Sequence, residues 1–214
     1  MSPVVAVLEY GVGDVRPVAS VLERVGARVV VTSDRGECQD ADGLVVSGFG
    51  DFRVCMEKLS AVFGPQVIET RLCGGRPVLG IGVGMQVMFE GVVDALGDEV
   101  AGLGEWPEVV EPVKGEVVPH VGWGVVDAAE GSKLFVGVDG ERFYFEHEYA
   151  AHSWSLWPTG SFEVVRPLVS WSDYGCRFVA AVENGPLVAT QFYPESSGLA
   201  GEVVLRNWVG TLKR

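Results

Sequence analysis

Histidine is scarce and cysteine is scattered in this chain. It has three histidines and four cysteines, Cys38, Cys55, Cys73 and Cys176, with no C-x-x-C pair and no His/Cys cluster at metal-ligand spacing. A disulfide-stapled scaffold and a structural zinc module are therefore excluded, and reduced thiols in a cytoplasm are the expected state. Positive charge is also short. Sixteen Lys and Arg against 29 Asp and Glu leave a formal charge of −13, which opposes nucleic acid and anionic membrane surfaces as partners. No apolar run approaches the ~20 residues that span a bilayer, and no basic-then-apolar leader opens the chain. Linkers, repeats and low-complexity tracts are missing too, so residues 1–214 are expected to form one domain.

What is present is a large apolar fraction, 48% of residues, enough to bury a substantial core. The first third alternates Val-rich runs with amphipathic segments: "VVAVLEY" (4–10), a helix over about Val15–Val25, "ARVVVTS" (27–33), "GLVVSGFG" (43–50), a helix over about Phe52–Thr70, then "PVLGI". Runs of this kind bounded by glycine suit parallel strands covered on both faces. From Glu108 the texture changes to short β-like runs, including "ERFYFEHEYA", "FEVVRPLVSW" and "RFVAAVENGPLVATQFYP", and "GLAGEVVLRNWVGTLKR" closes as a helix with a basic end. The expected fold class is α/β: a central, mostly parallel sheet with helices on both faces and a smaller antiparallel extension over about Pro107–Ser172.

Three glycine-bearing turns and one proline turn are the candidate site. "RPVLGIGVGMQVMFE" (76–90) runs from a strand through Gly80, Gly82 and Gly84 into an expected helix, Met85–Glu90. Strand, tight turn and helix make the geometry of a nucleophile elbow, whose tip calls for Ser or Cys where this chain has Gly82. "SGFGDF" (47–52) follows a strand and would present backbone N–H groups to a cleft, as oxyanion sites do, or simply turn. "ATQFYPESSG" (189–198) ends a strand in a proline turn, with Glu195 as a first-turn acid or something more. "EYGVGDVR", with Gly11, Gly13 and the later Asp34, is half a dinucleotide fingerprint, but Arg16 stands where the third glycine belongs.

Taken together these segments resemble the class I, triad-type glutamine amidotransferases, and within them the glutaminase subunit of imidazole glycerol phosphate synthase. "EYGVGD", "GEWPEVVE", "PHVGWG", "RFYFEHEYA" and "AAVENGPLVATQF" match that family over nearly the whole chain. The resemblance implies a flavodoxin-like sheet, no cofactor, and a triad at positions 82, 193 and 195, where the family's cysteine attacks glutamine, its histidine moves the proton and its glutamate orients the histidine. Here those positions hold Gly82, Tyr193 and Glu195. It further implies substrate contacts from Gly48, Gly50 and Gln86, and a (βα)₈ cyclase partner in a heterodimer.

Other departures fall around the same places. Ser47 replaces a proline of the oxyanion strand, Glu148 a serine after His147, Gly124 an asparagine after Gly-Trp, and Ser196 a lysine after Pro-Glu. The last two belong to the family's cyclase-facing surface, so a weakened partner contact is expected. Glycine has no nucleophilic atom, and a tyrosine of ordinary pKa near ~10 is a poor base at neutral pH. The leading expectation is a non-catalytic partner or ligand-holding subunit, with glutamine or glutamate as ligand. The rivals are an active amidotransferase subunit with an unusual nucleophile and a binding module for an anionic metabolite. His120 and His147 are expected to be structural or interface-facing, His152 to be exposed, and the scattered histidines to hold no metal.

Overall fold

The computed structural model describes residues 2–94, 96–156 and 166–212. The chain begins with β1 (Val4–Leu8), α1 (Arg16–Arg24), β2 (Arg28–Thr32), α2 (Arg35–Asp40), β3 (Gly43–Gly48), α3 (Phe52–Ala61), α4 (Gly64–Cys73) and β4 (Val78–Gly82). The four strands lie parallel in the order β4-β3-β1-β2. A four-residue helix, α5 (Val83–Gln86), follows, and then β5 (Phe89–Val93), β6 (Glu99–Ala101), β7 (Trp106–Pro112), β8 (His120–Val125), β9 (Arg142–His147) and β10 (Tyr149–Ala150). Next come β11 (Leu168–Asp173), β12 (Arg177–Asn184), β13 (Leu187–Thr190), a 3-10 turn over Pro194–Ser196 and α6 (Gly198–Thr211). The main sheet has the order β11-β12-β13-β4-β3-β1-β2, antiparallel among its first three strands and parallel elsewhere.

The two-residue period of β1 shows how the sheet divides the core. Val5 and Val7 join one cluster with α1, α6 and the aromatics Phe143, Phe145 and Phe192, while Ala6 and Leu8 join another with α3, α4, Met85 and Trp106. Both faces of the central strands are thus covered, which is why their sequences read as unbroken Val runs.

Several expectations need correcting. The segment Phe52–Thr70 is two helices, because Phe63 takes a left-handed conformation (φ 58°) and Gly64-Pro65 starts a new one. Met85–Glu90 is not a helix: α5 ends at Gln86, and Phe89 begins a strand beside β7. The extension therefore starts before Pro107, as a four-stranded sheet β10-β7-β5-β6 and a separate ribbon β8-β9. It also ends earlier, since β11 belongs to the main sheet. The first part of the run "FEVVRPLVSW", through residue 165, and the basic end at 213–214 lie outside the described residues. Asp34 caps α2, accepting from the Glu37 N–H at 2.9 Å. Arg16 is held by Asp14 at 2.7 Å on the exposed first turn of α1.

A fully buried arginine ties the second core cluster together. The Arg71 guanidinium reaches five backbone carbonyls, those of Cys38 (2.7 Å), Gln39 (3.2 Å), Ala41 (3.0 Å), Asp42 (3.4 Å) and Pro77 (2.9 Å). Burial lowers its pKa to about 10, so it stays charged at neutral pH. This side chain joins the end of α2, the loop into β3 and the entry to β4, and Arg76 adds bonds to the Asp40 and Ala41 carbonyls.

Candidate active site

The site lies at the carboxyl ends of β3, β4 and β13, where parallel sheets place ligand clefts. Gly82, at the tip of the β4-to-α5 turn, has φ 61° and ψ −121°, a region that strains any residue with a side chain. The flanking glycines are required by contact rather than by dihedral. A Cβ on Gly80 would lie 2.6 Å from the Gly84 carbonyl oxygen, and one on Gly84 would overlap the Val46 carbonyl. The elbow is therefore packed backbone against backbone.

Position 193 closes over this turn. Tyr193 is buried, and its hydroxyl donates to the Gly48 carbonyl at 3.2 Å, not to Glu195. A Cβ built on Gly82 would overlap the Tyr193 hydroxyl oxygen, and it would come within 2.6 Å of the ring carbon Cζ and 2.7 Å of the Gly48 oxygen. The phenol thus stands where a side chain at 82 would stand. Burial raises its pKa, with Glu195 and Glu146 adding to the rise, so it remains a neutral phenol. Glu195 keeps some residue exposure, but its Oε2 is buried with no hydrogen-bond partner. Burial lifts that carboxyl to about 7.

The expected site residues divide between two adjacent cavities. Gly50 and Gln86 line a cleft of about 420 Å³, together with Asp51, Arg53, Asp94, Glu148 and Tyr149. Gly48, Tyr193 and Glu195 line a smaller one of about 190 Å³ with Ser47, Tyr144 and Ser196. Phe49 and Glu146 belong to both. Gly82 lines neither. Gln86 is buried and fixed, donating to the Tyr149 carbonyl at 2.9 Å and to Gln191 Oε1 at 3.1 Å. The N–H groups of Phe49 and Gly50 find no backbone acceptor among the described residues.

Sequence reasoning missed Asp94, which no motif marks, and the cavity-lining roles of Phe49, Glu146 and Tyr149 within "SGFGDF" and "RFYFEHEYA", and it missed that the histidines cluster. His147 Nδ1 sits 2.9 Å from the Tyr149 carbonyl, which can only accept, so Nδ1 carries the proton. His147 Nε2 then accepts from His120 Nδ1 at 3.0 Å. His120 is sandwiched between Tyr174 (3.8 Å) and Phe145 (5.1 Å). His152 is half-buried rather than exposed. No group of three or more His, Cys, Asp or Glu among the described residues is arranged to hold a metal.

Burial lowers His120 to about 4 and His147 to about 3, and the direction fixes a pH dependence. The unfolded chain takes up protons near pH 6.5 that the folded pair refuses, so stability is full above that pH and falls as acid is added toward 3–4. Glu195 runs the other way: folding holds its proton from 4.5 up to about 7, and its stabilising contribution is lost as pH rises through that window. Glu195→Gln should accordingly raise Tm at pH 8, by of order 5 °C, and have little effect at pH 4.5. Thermal melts at the two pH values check this; an equal shift at both would mean that the carboxyl is not held protonated.

A mixed, mostly parallel sheet flanked by helices, with a smaller sheet beside it, is the fold of the class I glutamine amidotransferases. The family described as "Glutamine amidotransferase class-I" matches residues 7–210. The "Imidazole glycerol phosphate synthase subunit HisH" of Leifsonia xyli subsp. xyli is 57% identical, over 99% of this chain and 100% of the relative. That of Streptomyces avermitilis is 51% identical, over 97% of this chain and 96% of its own. Solved structures share the fold at low identity. A putative GMP synthase subunit from Thermoplasma acidophilum has a TM-score of 0.71 at 21% identity, covering 98% of this chain and 94% of that one. The CTPS glutaminase domain of Trypanosoma brucei has a TM-score of 0.63 at 18% identity, covering 100% and 96%. The chain belongs to the class I glutamine amidotransferase family, in its HisH branch.

Proposed function

We propose that this chain is a HisH-type subunit, acting as one domain, that holds the glutaminase architecture without its hydrolytic chemistry. The observation that carries the reading is the steric exchange at the elbow: Gly82 offers no nucleophile, and the neutral Tyr193 phenol fills the place of one. Relocation of the nucleophile is disfavoured. Burial pushes the Cys38 thiol up to about 11 and the Cys55 thiol to about 12, so neither supplies a thiolate at neutral pH.

The larger cleft supports the ligand-holding role. Four carboxylates, Asp51, Asp94, Glu146 and Glu148, face it against one guanidinium, Arg53. That balance favours glutamine over the more anionic glutamate and opposes an anionic metabolite. On the outer face of the β8 ribbon, Val121, Trp123 and Val125 form an exposed apolar strip suited to a cyclase-type partner. Gly124 and Ser196 carry no long polar side chain, so association weaker than in a chain with asparagine and lysine at those positions is expected.

The test combines glutamate release from glutamine, with and without a cyclase partner, and intact mass after treatment with a glutamine-mimicking electrophile. No product is expected, and no adduct that glutamine protects against. A stoichiometric adduct that excess glutamine blocks and that replacing one cysteine abolishes would overturn the reading.

A further inference from the structure

Outside both cavities, a second pair of reactive groups meets where the segment after β10 passes the β11–β12 hairpin. Cys176 Sγ lies 3.3 Å from His152 Nδ1. The imidazole is fixed from both ends, with Nδ1 3.1 Å from the Arg177 carbonyl and Nε2 3.2 Å from the Pro112 carbonyl. Carbonyl oxygens only accept. A neutral ring donating from Nε2 to Pro112 leaves the Nδ1 lone pair facing the Arg177 oxygen, and the thiol holds the nearest proton that can relieve this contact. Nδ1 is thus placed to take that proton as Sγ attacks, a transfer that gives both ring nitrogens an acceptor.

The other thiols lack such a neighbour. Cys38 and Cys55 are fully buried, with Sγ near the Thr32 and Phe49 carbonyls at 3.9 and 4.0 Å. Cys73 is exposed at the end of α4, with no ring nitrogen hydrogen-bonded to it among the described residues. Cys176 is half-exposed, so small reagents can reach it.

We propose that Cys176 and His152 form a reactive thiol–imidazole pair, a site of reversible mixed-disulfide formation with low-molecular-weight disulfides. Sγ attacks one sulfur of the disulfide as its proton passes to Nδ1, the new S–S bond forms, and the original S–S bond breaks with its electron pair leaving on the departing thiolate. The imidazolium can return its proton to that thiolate. The small disulfide is the only oxidant required. The site lies apart from Gly82 and Tyr193, so it stands whether or not the glutaminase reading holds.

The experiment treats the folded chain with an aromatic disulfide that releases a chromophoric thiolate, and locates the label by peptide mass mapping. In the unaltered protein at pH 7, Cys176 should label roughly 10-fold faster than the more exposed Cys73. His152→Gln should slow labelling at Cys176 by a similar factor and leave Cys73 unchanged. Faster labelling of Cys73 in the unaltered protein would overturn the proposal, and that comparison needs no variant. An unchanged Cys176 rate in a folded His152→Gln protein would overturn it as well.

Discussion

Gly82→Cys alone is expected to destabilise the protein and to release no glutamate from glutamine. The new Cβ would overlap the Tyr193 hydroxyl and crowd the Gly48 oxygen at 2.7 Å, on a backbone with φ 61°. Overpacking and left-handed strain cost about 1–3 kcal/mol each, a fall in Tm of roughly 5–15 °C for a chain of this size. Tyr193→His relieves the overlap and places an imidazole near the Glu195 carboxylate, whose Oε2 has no partner to lose. The double variant should therefore be more stable than Gly82→Cys alone, and its glutamate production should exceed that of either single variant by at least ~100-fold, because triad members act as a unit. The Gly48 carbonyl must still move aside, so Ser47→Pro is the natural third change. Melting curves and initial rates, taken with a cyclase partner present, decide the matter. A folded, glutamine-binding double variant with no activity above background would mean that positions 82, 193 and 195 do not hold triad geometry.

The largest effect on folding should come from Arg71→Met. The methionine fills much of the volume, but five carbonyl oxygens lose the guanidinium; Ala41 keeps Arg76 and Pro77 keeps the Leu44 N–H, while those of Cys38, Gln39 and Asp42 lose the side-chain donor. Each buried acceptor left unsatisfied costs about 1–3 kcal/mol, so a loss of at least ~4 kcal/mol is expected even if some carbonyls find water. Arg71→Lys should rescue only part of this, since an ammonium has three donors and no fork to span the loop, α2 and β4 together. Urea unfolding monitored by tryptophan fluorescence gives the comparison. A loss below ~1 kcal/mol for the methionine variant would show that the carbonyls are solvated in the native protein.

The sequence disclosed the sheet better than it disclosed the site. β1, β3 and β4 were legible because strands covered on both faces need apolar residues at every position, and the Val runs supply them. β5 was not, because "MQVMFE" is equally apolar read as helix or strand; only its pairing with β7 decides. The break at Phe63 was present in Gly64-Pro65 and was read through. At the site, the resemblance located positions 82, 193 and 195 as residue types, but it could not show that two of them compete for one volume. That contact depends on β13 lying next to β4, with Ala189 opposite Gly80 and Thr190 opposite Ile81, an adjacency that local pattern does not encode. The histidine cluster escaped for the same reason: His120 and His147 meet because β8 and β9 pair in register.

The shared volume at the elbow also imposes an order in time. No residue bearing a Cβ at position 82 can coexist with Tyr193 in the rotamer seen here, since the Cβ and the phenol oxygen would interpenetrate. If the chain descends from an enzyme with cysteine at that position, the side chain at 82 would have to disappear before the tyrosine could take this place. A single reversion at 82 would then meet a filled space. Under the proposed function, loss of the nucleophile would act as a ratchet: the tyrosine would have to go first, a step with no catalytic advantage of its own. A related chain carrying tyrosine in this rotamer together with a side chain at the elbow tip would refute that history.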